Sequence, residues 1–183
     1  MLITPVQLVE EALPLNESLP EGAIDYAPDI RQIGPLSLTG KAELIVEHRG
    51  PREFVQDIRL RAHFDGRFEL LCARCLEPVQ VPLSGDFDLI YRPAYVETEA
   101  GERAITEDET EIGYYEKSGL LLEDAVREQV LLNLPGRALC QQECKGLCPK
   151  CGANRNLADC GCGEAATDPR WNALAGLSLS NKA

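Results

Sequence analysis

Residues 58–75 read Ile58-Arg59-Leu60-Arg61-Ala62-His63-Phe64-Asp65-Gly66-Arg67-Phe68-Glu69-Leu70-Leu71-Cys72-Ala73-Arg74-Cys75. Ile58, Leu60, Ala62 and Phe64 occupy every second position, with Arg59, Arg61 and His63 between them. That is the period of a strand with one buried and one wet face. Asp65-Gly66 predicts a two-residue hairpin turn, because both positions tolerate positive φ. The return strand would carry Phe68 and Leu70 and run into Cys72. The same alternation recurs upstream in Leu36–Leu38 and Ala42–Leu44–Val46, and downstream in Val79, Val81 and Leu83, then Phe87, Leu89 and Tyr91. Residues 36–91 therefore predict four to six antiparallel strands.

Outward from this block the chain divides by composition. Residues 1–30 hold six acidic side chains, no basic one, and Pro5, Pro14, Pro20 and Pro28. Residues 1–35 are expected to be an extended arm, laid on the body through Ile3, Val6, Leu8 and Val9. The body is expected over 36–135. Within it, 96–116 sets eight acidic residues against Arg103 alone, the composition of a solvated loop or of a docking strip for a basic partner. Ser118 can cap a helix over 119–134, where Leu122, Val126 and Val130 recur at four-residue spacing, Glu123 can pair with Arg127, and Pro135-Gly136 ends the run. A Cys-rich appendage covers 140–163. Residues 164–183 predict a short helix after Asp168-Pro169, carrying Trp171, Leu174 and Leu177, and a tail. The fold class expected is α+β: an antiparallel β-sheet or partly open barrel, one packed helix, and a C-terminal zinc-ribbon-like appendage.

The 183 residues carry a formal charge of −12, from 18 basic and 30 acidic side chains, and 44% are apolar. That is enough to bury a core. No apolar run reaches the roughly 20 residues of a membrane span, and the first residues lack a basic leader, so a cytoplasmic protein is expected. The acidic balance opposes broad electrostatic capture of nucleic acid and suits a basic protein partner.

Eight cysteines fall in four close pairs: Cys72-x2-Cys75, Cys140-x3-Cys144, Cys148-x2-Cys151 and Cys160-x-Cys162. In a reducing compartment this pattern points to metal rather than disulfides. In Cys148-Pro149-Lys150-Cys151-Gly152 a tight turn can aim two thiolates at one ion, the knuckle of a structural Zn2+ site. Cys160 and Cys162 would supply the other half, with Cys144 able to replace one of them. Cys72, Cys75, Cys140 and Cys144 can form a second four-thiolate site, or Cys72 and Cys75 can be a reduced pair at a strand end. One or two ions result. A closed four-sulfur site leaves no position for substrate, so its role is structural.

The same sulfurs admit a thiol redox protein using Cys72 and Cys75. Redox dithiols of the thioredoxin type, however, sit at a helix N-terminus, whereas strands flank this pair. Nucleophile elbows, phosphate loops, zinc-protease helices and dinucleotide turns are missing from the sequence, so no enzyme is expected and no catalytic residue is assigned. His48 and His63 fall on strands as surface imidazoles, with Arg59 and Arg61 on the wet face. Arg74, Lys145, Lys150 and Arg155 could together make a modest RNA-contacting surface. Residues 140–163 have three basic residues against Glu143 and Asp159.

The order of these motifs resembles the YceD family, the large ribosomal RNA subunit accumulation proteins of bacteria and plastids. The resemblance rests on Cys72-Ala73-Arg74-Cys75-Leu76, on the helix ending Val126-Arg127-Glu128-Gln129-Val130-Leu131-Leu132-Asn133-Leu134-Pro135, and on Leu139-Cys140. It continues through Cys144-Lys145-Gly146-Leu147-Cys148-Pro149-Lys150-Cys151-Gly152 with Asn154 and Asn156, Cys160-Gly161-Cys162, and Asp168-Pro169-Arg170. It implies a non-enzymatic role in synthesis, processing or stability of the large-subunit (23S) ribosomal RNA. The partner it implies is a large-subunit ribosomal protein or pre-ribosomal particle, with RNA contacted directly or indirectly, and no membrane.

Overall fold

The structure is a computed structural model that describes residues 1–50, 53–94, 112–116, 118–162 and 170, without the side chains of 49, 50 and 53. In chain order its strands are β1 (Leu2–Ile3), β2 (Leu13–Leu19), β3 (Ile30–Gly50), β4 (Glu53–Leu71), β5 (Pro78–Pro93), β6 (Ile112–Tyr115) and β7 (Leu120–Leu121), followed by one helix, α1 (Leu122–Asn133). A five-stranded sheet has the order β2-β3-β4-β5-β6, and β1 pairs with β7 in a two-stranded ribbon. Three neighbouring pairs are antiparallel, and β5–β6 is parallel. The sheet is open and mixed. The expected partly open barrel does not form, because β2 and β6 stand at opposite edges instead of pairing.

The period-two pattern organises the central stretches of β3, β4 and β5. Leu38 faces Phe64 across the ladder, Ala42 faces Leu60 and Leu44 faces Ile58; on the other side of β4, Leu60 faces Leu89 and Ile58 faces Tyr91. Leu36, Leu38, Ile58, Leu60, Phe64 and Phe68 are fully buried. Over this inner face lie α1, through Leu122, Ala125, Val126 and Val130, and the N-terminal residues Ile3, Leu8, Ile24 and Tyr26. The Tyr26 ring meets Phe68 edge-on, 5.4 Å between centroids, a preferred aromatic geometry. Of the N-terminal residues, Ile3 and Leu8 are buried, whereas Val6 and Val9 are exposed. Leu13–Leu19 forms an edge strand paired with β3.

Asp65-Gly66 is not a turn. β4 runs straight through it, with Asp65 opposite both Ser37 and Ser84 and Gly66 opposite Leu83. Local turn propensity yields here to a ladder on each side, which satisfies both edges of the backbone. Gly66 instead makes room: a Cβ there would come within 2.6 Å of Leu36 Cδ1 in the buried layer. The alternating segments of 36–46 lie within the single strand β3, and those of 79–91 within β5.

The wet face of the sheet is laced with ion pairs. Arg59 pairs in bidentate fashion with Asp88 at 2.7 and 2.6 Å, Arg61 with Glu43 at 2.6 Å, and His63 Nδ1 lies 2.9 Å from Asp86. These contacts hold the Glu43 and Asp88 carboxyls below the ordinary range, chiefly through hydrogen bonds from Lys41 and Arg59. Farther along the same face, Arg92 and Asp57 are buried and joined at 2.9 and 3.2 Å, with Glu47 adding a third carboxylate oxygen at 2.8 Å.

The helix begins later than its sequence suggests. Leu121 is the N-cap, with no side-chain cap bond; Leu120–Leu121 is drawn into pairing with Ile3 and Leu2, and Gly119 bridges Glu116. Ser118 therefore does not cap. Glu123 takes the Met1 ammonium and Arg127 donates to the Asp25 carbonyl at 2.6 Å, so the expected Glu123–Arg127 pair is replaced by two contacts to the N-terminal segment. Part of the expected acidic loop is also strand: Ile112–Tyr115 pairs in parallel with Ile90–Pro93. Residues 96–111 of that loop, and the expected short helix with Trp171, lie outside the described residues.

Candidate metal centre

The C-terminal end of β4 and the start of β5 are joined by residues 72–77, which turn back on themselves. The Leu76 N–H donates to the Cys72 carbonyl at 3.0 Å and the Cys72 N–H to the Glu77 carbonyl at 2.8 Å. Cys148–Gly152 repeats the device, with the Gly152 N–H donating to the Cys148 carbonyl at 2.9 Å. In both knuckles the residue after the second cysteine adopts the left-handed conformation, Leu76 at φ 62° and Gly152 at φ 75°. That twist swings the chain aside so that two thiols point the same way.

The rest of the lobe is laid across the first knuckle. The Ala73 N–H reaches the Ala138 carbonyl at 2.9 Å and the Leu147 N–H the Arg74 carbonyl at 3.0 Å. Arg74 Nη1 donates back to the carbonyls of Cys144 and Gln142 at 2.8 and 3.2 Å. Leu147 and Asn154 form a single bridge. Cys72, Cys75 and Cys144 are buried together, with Val79, Leu139 and Leu147 packed against them.

These contacts collect the eight cysteines, all unpaired by disulfide, into two groups. Cys72, Cys75, Cys140 and Cys144 form one, Cys148, Cys151, Cys160 and Cys162 the other, and within each group the four sulfurs lie within 4.8 Å of one another. Cys72 Sγ stands 3.8 Å from Cys144 Sγ, and Cys75 Sγ 3.6 Å from Cys140 Sγ. Four thiolates about 2.3 Å from a tetrahedral zinc ion would stand about 3.8 Å apart, so the spacing and the soft donor set fit such an ion. The outer shell is also in place: the Cys140 N–H donates to Cys72 Sγ at 3.4 Å and Asn156 Nδ2 to Cys144 Sγ at 3.2 Å. Asn156 is itself held by Asn154 Oδ1 and by the Lys145 N–H.

The thiols are electrostatically unequal. The Cys140 N–H above all brings Cys72 down to about 6, and the N–H groups of Cys151 and Lys150 do the same for Cys148. Cys140 is pushed up to about 12, first by desolvation and then by the neighbouring sulfurs; its residue is exposed overall, but its sulfur faces the cluster. Cys162 rises to about 12, chiefly through the sulfurs of Cys151 and Cys160. Each quartet thus pairs a sulfur that ionises readily with one that holds its proton, and a dication would replace that proton-sharing with four thiolates.

Of the four basic residues considered for RNA contact, Arg74 and Lys150 are committed to backbone carbonyls, Lys150 to that of Cys162 at 2.8 Å. Lys145 and Arg155 are exposed on the lobe. Two things escaped the sequence reading: the part played by Asn156, which only its contact with Cys144 reveals, and the left-handed Leu76, which a bulky residue conceals.

Fold and sulfur geometry together define an open-sheet protein with two four-cysteine clusters able to hold metal ions, one joining the β4–β5 connection to the C-terminal lobe and one within that lobe. The family described as "Large ribosomal RNA subunit accumulation protein YceD" matches residues 60–178, and the chain belongs to it. An uncharacterised protein of Mycobacterium tuberculosis is 36% identical over 107 residues, 56% of this chain and 47% of that protein. An uncharacterised protein of Mycobacterium leprae is 26% identical over 103 residues, 56% of this chain and 45% of that protein. A chloroplastic protein of Arabidopsis thaliana, named as a large ribosomal RNA subunit accumulation protein homologue, is 40% identical over 52 residues, 28% of this chain and 16% of its own. The chain spans about half the length of the mycobacterial relatives it matches. No solved structure matches it.

Proposed function

We propose that this protein is a non-enzymatic factor in the synthesis, processing or stability of large-subunit ribosomal RNA, acting during ribosome assembly in the cytoplasm, with structural zinc in both cysteine quartets. Family membership carries the ribosomal part of this reading. The sulfur geometry supports the metal: two sets of four thiols at tetrahedral spacing, each closed to further ligands, suit crosslinking rather than catalysis. The metal would fix the shape of a lobe too poor in large apolar residues to hold itself together. A formal charge of −12 favours a basic large-subunit ribosomal protein as the partner met first.

Direct RNA contact is the second reading, favoured by the exposed Lys145 and Arg155 on the lobe. Thiol redox chemistry at Cys72 and Cys75 is disfavoured, because both sulfurs are buried in a four-sulfur set at a strand end.

Protein purified without chelator is expected to carry two zinc ions per chain, and affinity capture at low salt to recover large-subunit precursors or their proteins. Chain free of metal would end the structural-zinc reading. Failure to recover any large-subunit component would end the ribosomal one. Should ribosomal RNA fragments bind the isolated protein with steep salt dependence that Lys145→Ala and Arg155→Ala together relax, the RNA route replaces the protein route.

A further inference from the structure

At the opposite end of β5 from the cysteine lobe, β5 and β6 pass beside the first two turns of α1. Tyr91 is in register with Gly113 there. A Cβ on Gly113 would come within 2.7 Å of both Tyr91 Cδ1 and Cε1, so the glycine admits the ring against the neighbouring strand. Tyr91 is only 6% exposed, and among the described residues its hydroxyl has no hydrogen-bond partner. It borders a cleft of about 560 Å³ whose walls include Tyr114, Glu116, Asp124 and Glu128. Asp124 and Glu128 are four residues apart, hence side by side on one face of α1. Neither they nor Glu116 forms an ion pair with a described residue. Burial first, then the charges of Glu128 and Asp124, push the Tyr91 hydroxyl up to about 12, so it keeps its proton.

A half-enclosed space with three carboxylates that make no ion pair among the described residues, bordered by the hydroxyl of a buried tyrosine, repels phosphate and attracts a cation with several N–H donors. We propose that this cleft receives an arginine or lysine side chain of a basic protein partner, clasped by Asp124 and Glu128 and seated on the Tyr91 hydroxyl oxygen. That a protein bears the cation rests on the ribosomal-protein reading above; the preference of the cleft for the cation does not.

The probe is the tripeptide acetyl-Gly-Arg-Gly-amide, titrated into the full metal-loaded chain and followed by amide NMR. The expected result is saturable shifts centred on Gly113, Tyr91, Asp124 and Glu128. Binding should weaken about tenfold or more in Asp124→Asn/Glu128→Gln and be lost with citrulline in place of arginine. Tyr91→Phe, which removes only the hydroxyl, should weaken binding less and leave the melting temperature near that of the parent. Shifts spread over the acidic surface, equal binding by the citrulline peptide, or undiminished binding by the double variant would each overturn the site. If the titration succeeds while capture from cells recovers no ribosomal protein, the cation site stands and the partner assignment falls. If capture succeeds equally with the double variant, the cleft is not the docking point and the ribosomal reading stands.

Discussion

Leu76 carries a conformation that its side chain resists. At φ 62° it occupies the place that Gly152 fills in the second knuckle, and a left-handed residue with a Cβ costs about 1 kcal/mol. Its side chain is 57% exposed, so little packing is lost by removing it. Leu76→Gly is therefore expected to raise stability by about 0.5 kcal/mol, the relief of strain outweighing the added freedom of the unfolded chain. Denaturant unfolding of the metal-loaded protein checks this, and a clear loss of stability would show that Leu76 has a packing role instead. The cysteine pairs were readable from spacing alone. The strained residue that follows one of them was not, since nothing in a leucine announces positive φ.

At the scale of the element, α1 illustrates why boundaries are harder to read than stripes. Its buried face is the one that four-residue spacing predicts, with Leu122, Ala125, Val126 and Val130 all against the sheet. Its first turn is shorter than predicted, because β7 captures the preceding residues for pairing with β1. Leu122 is the fully buried hinge between strand and helix, so Leu122→Ala should cost about 3 kcal/mol through lost burial and a residual cavity. A shift in denaturant midpoint measures it; a cost below about 1 kcal/mol would mean that the helix closes the gap readily. The same competition explains β4, where a turn dipeptide is pulled straight by two neighbours it could not know from its own sequence.

Over the whole molecule, the two quartets occupy different mechanical positions. One ties the end of β4 to the lobe through Cys72 and Cys75 from one side and Cys140 and Cys144 from the other; the second lies wholly within 148–162. Chelation of a metal-loaded sample should therefore abolish hydrogen-exchange protection across 140–162 and fray residues 71–78, while amides in the centre of β3 and β4 keep theirs. Simultaneous loss of protection throughout would show that lobe and sheet form one cooperative unit.

The sequence by itself determined which residues face the core, which stripe of the helix is buried, and that sulfur chemistry is concentrated near the C-terminus, because periodicity and ligand type are local properties. Tertiary structure alone decided the rest. It chose an open sheet over a barrel, a parallel edge strand within an acidic stretch, and the union of Cys72 and Cys75 with Cys140 and Cys144 across some 65 residues. Each of these depends on hydrogen bonds and contacts between segments distant in the chain, whose energies no local pattern contains.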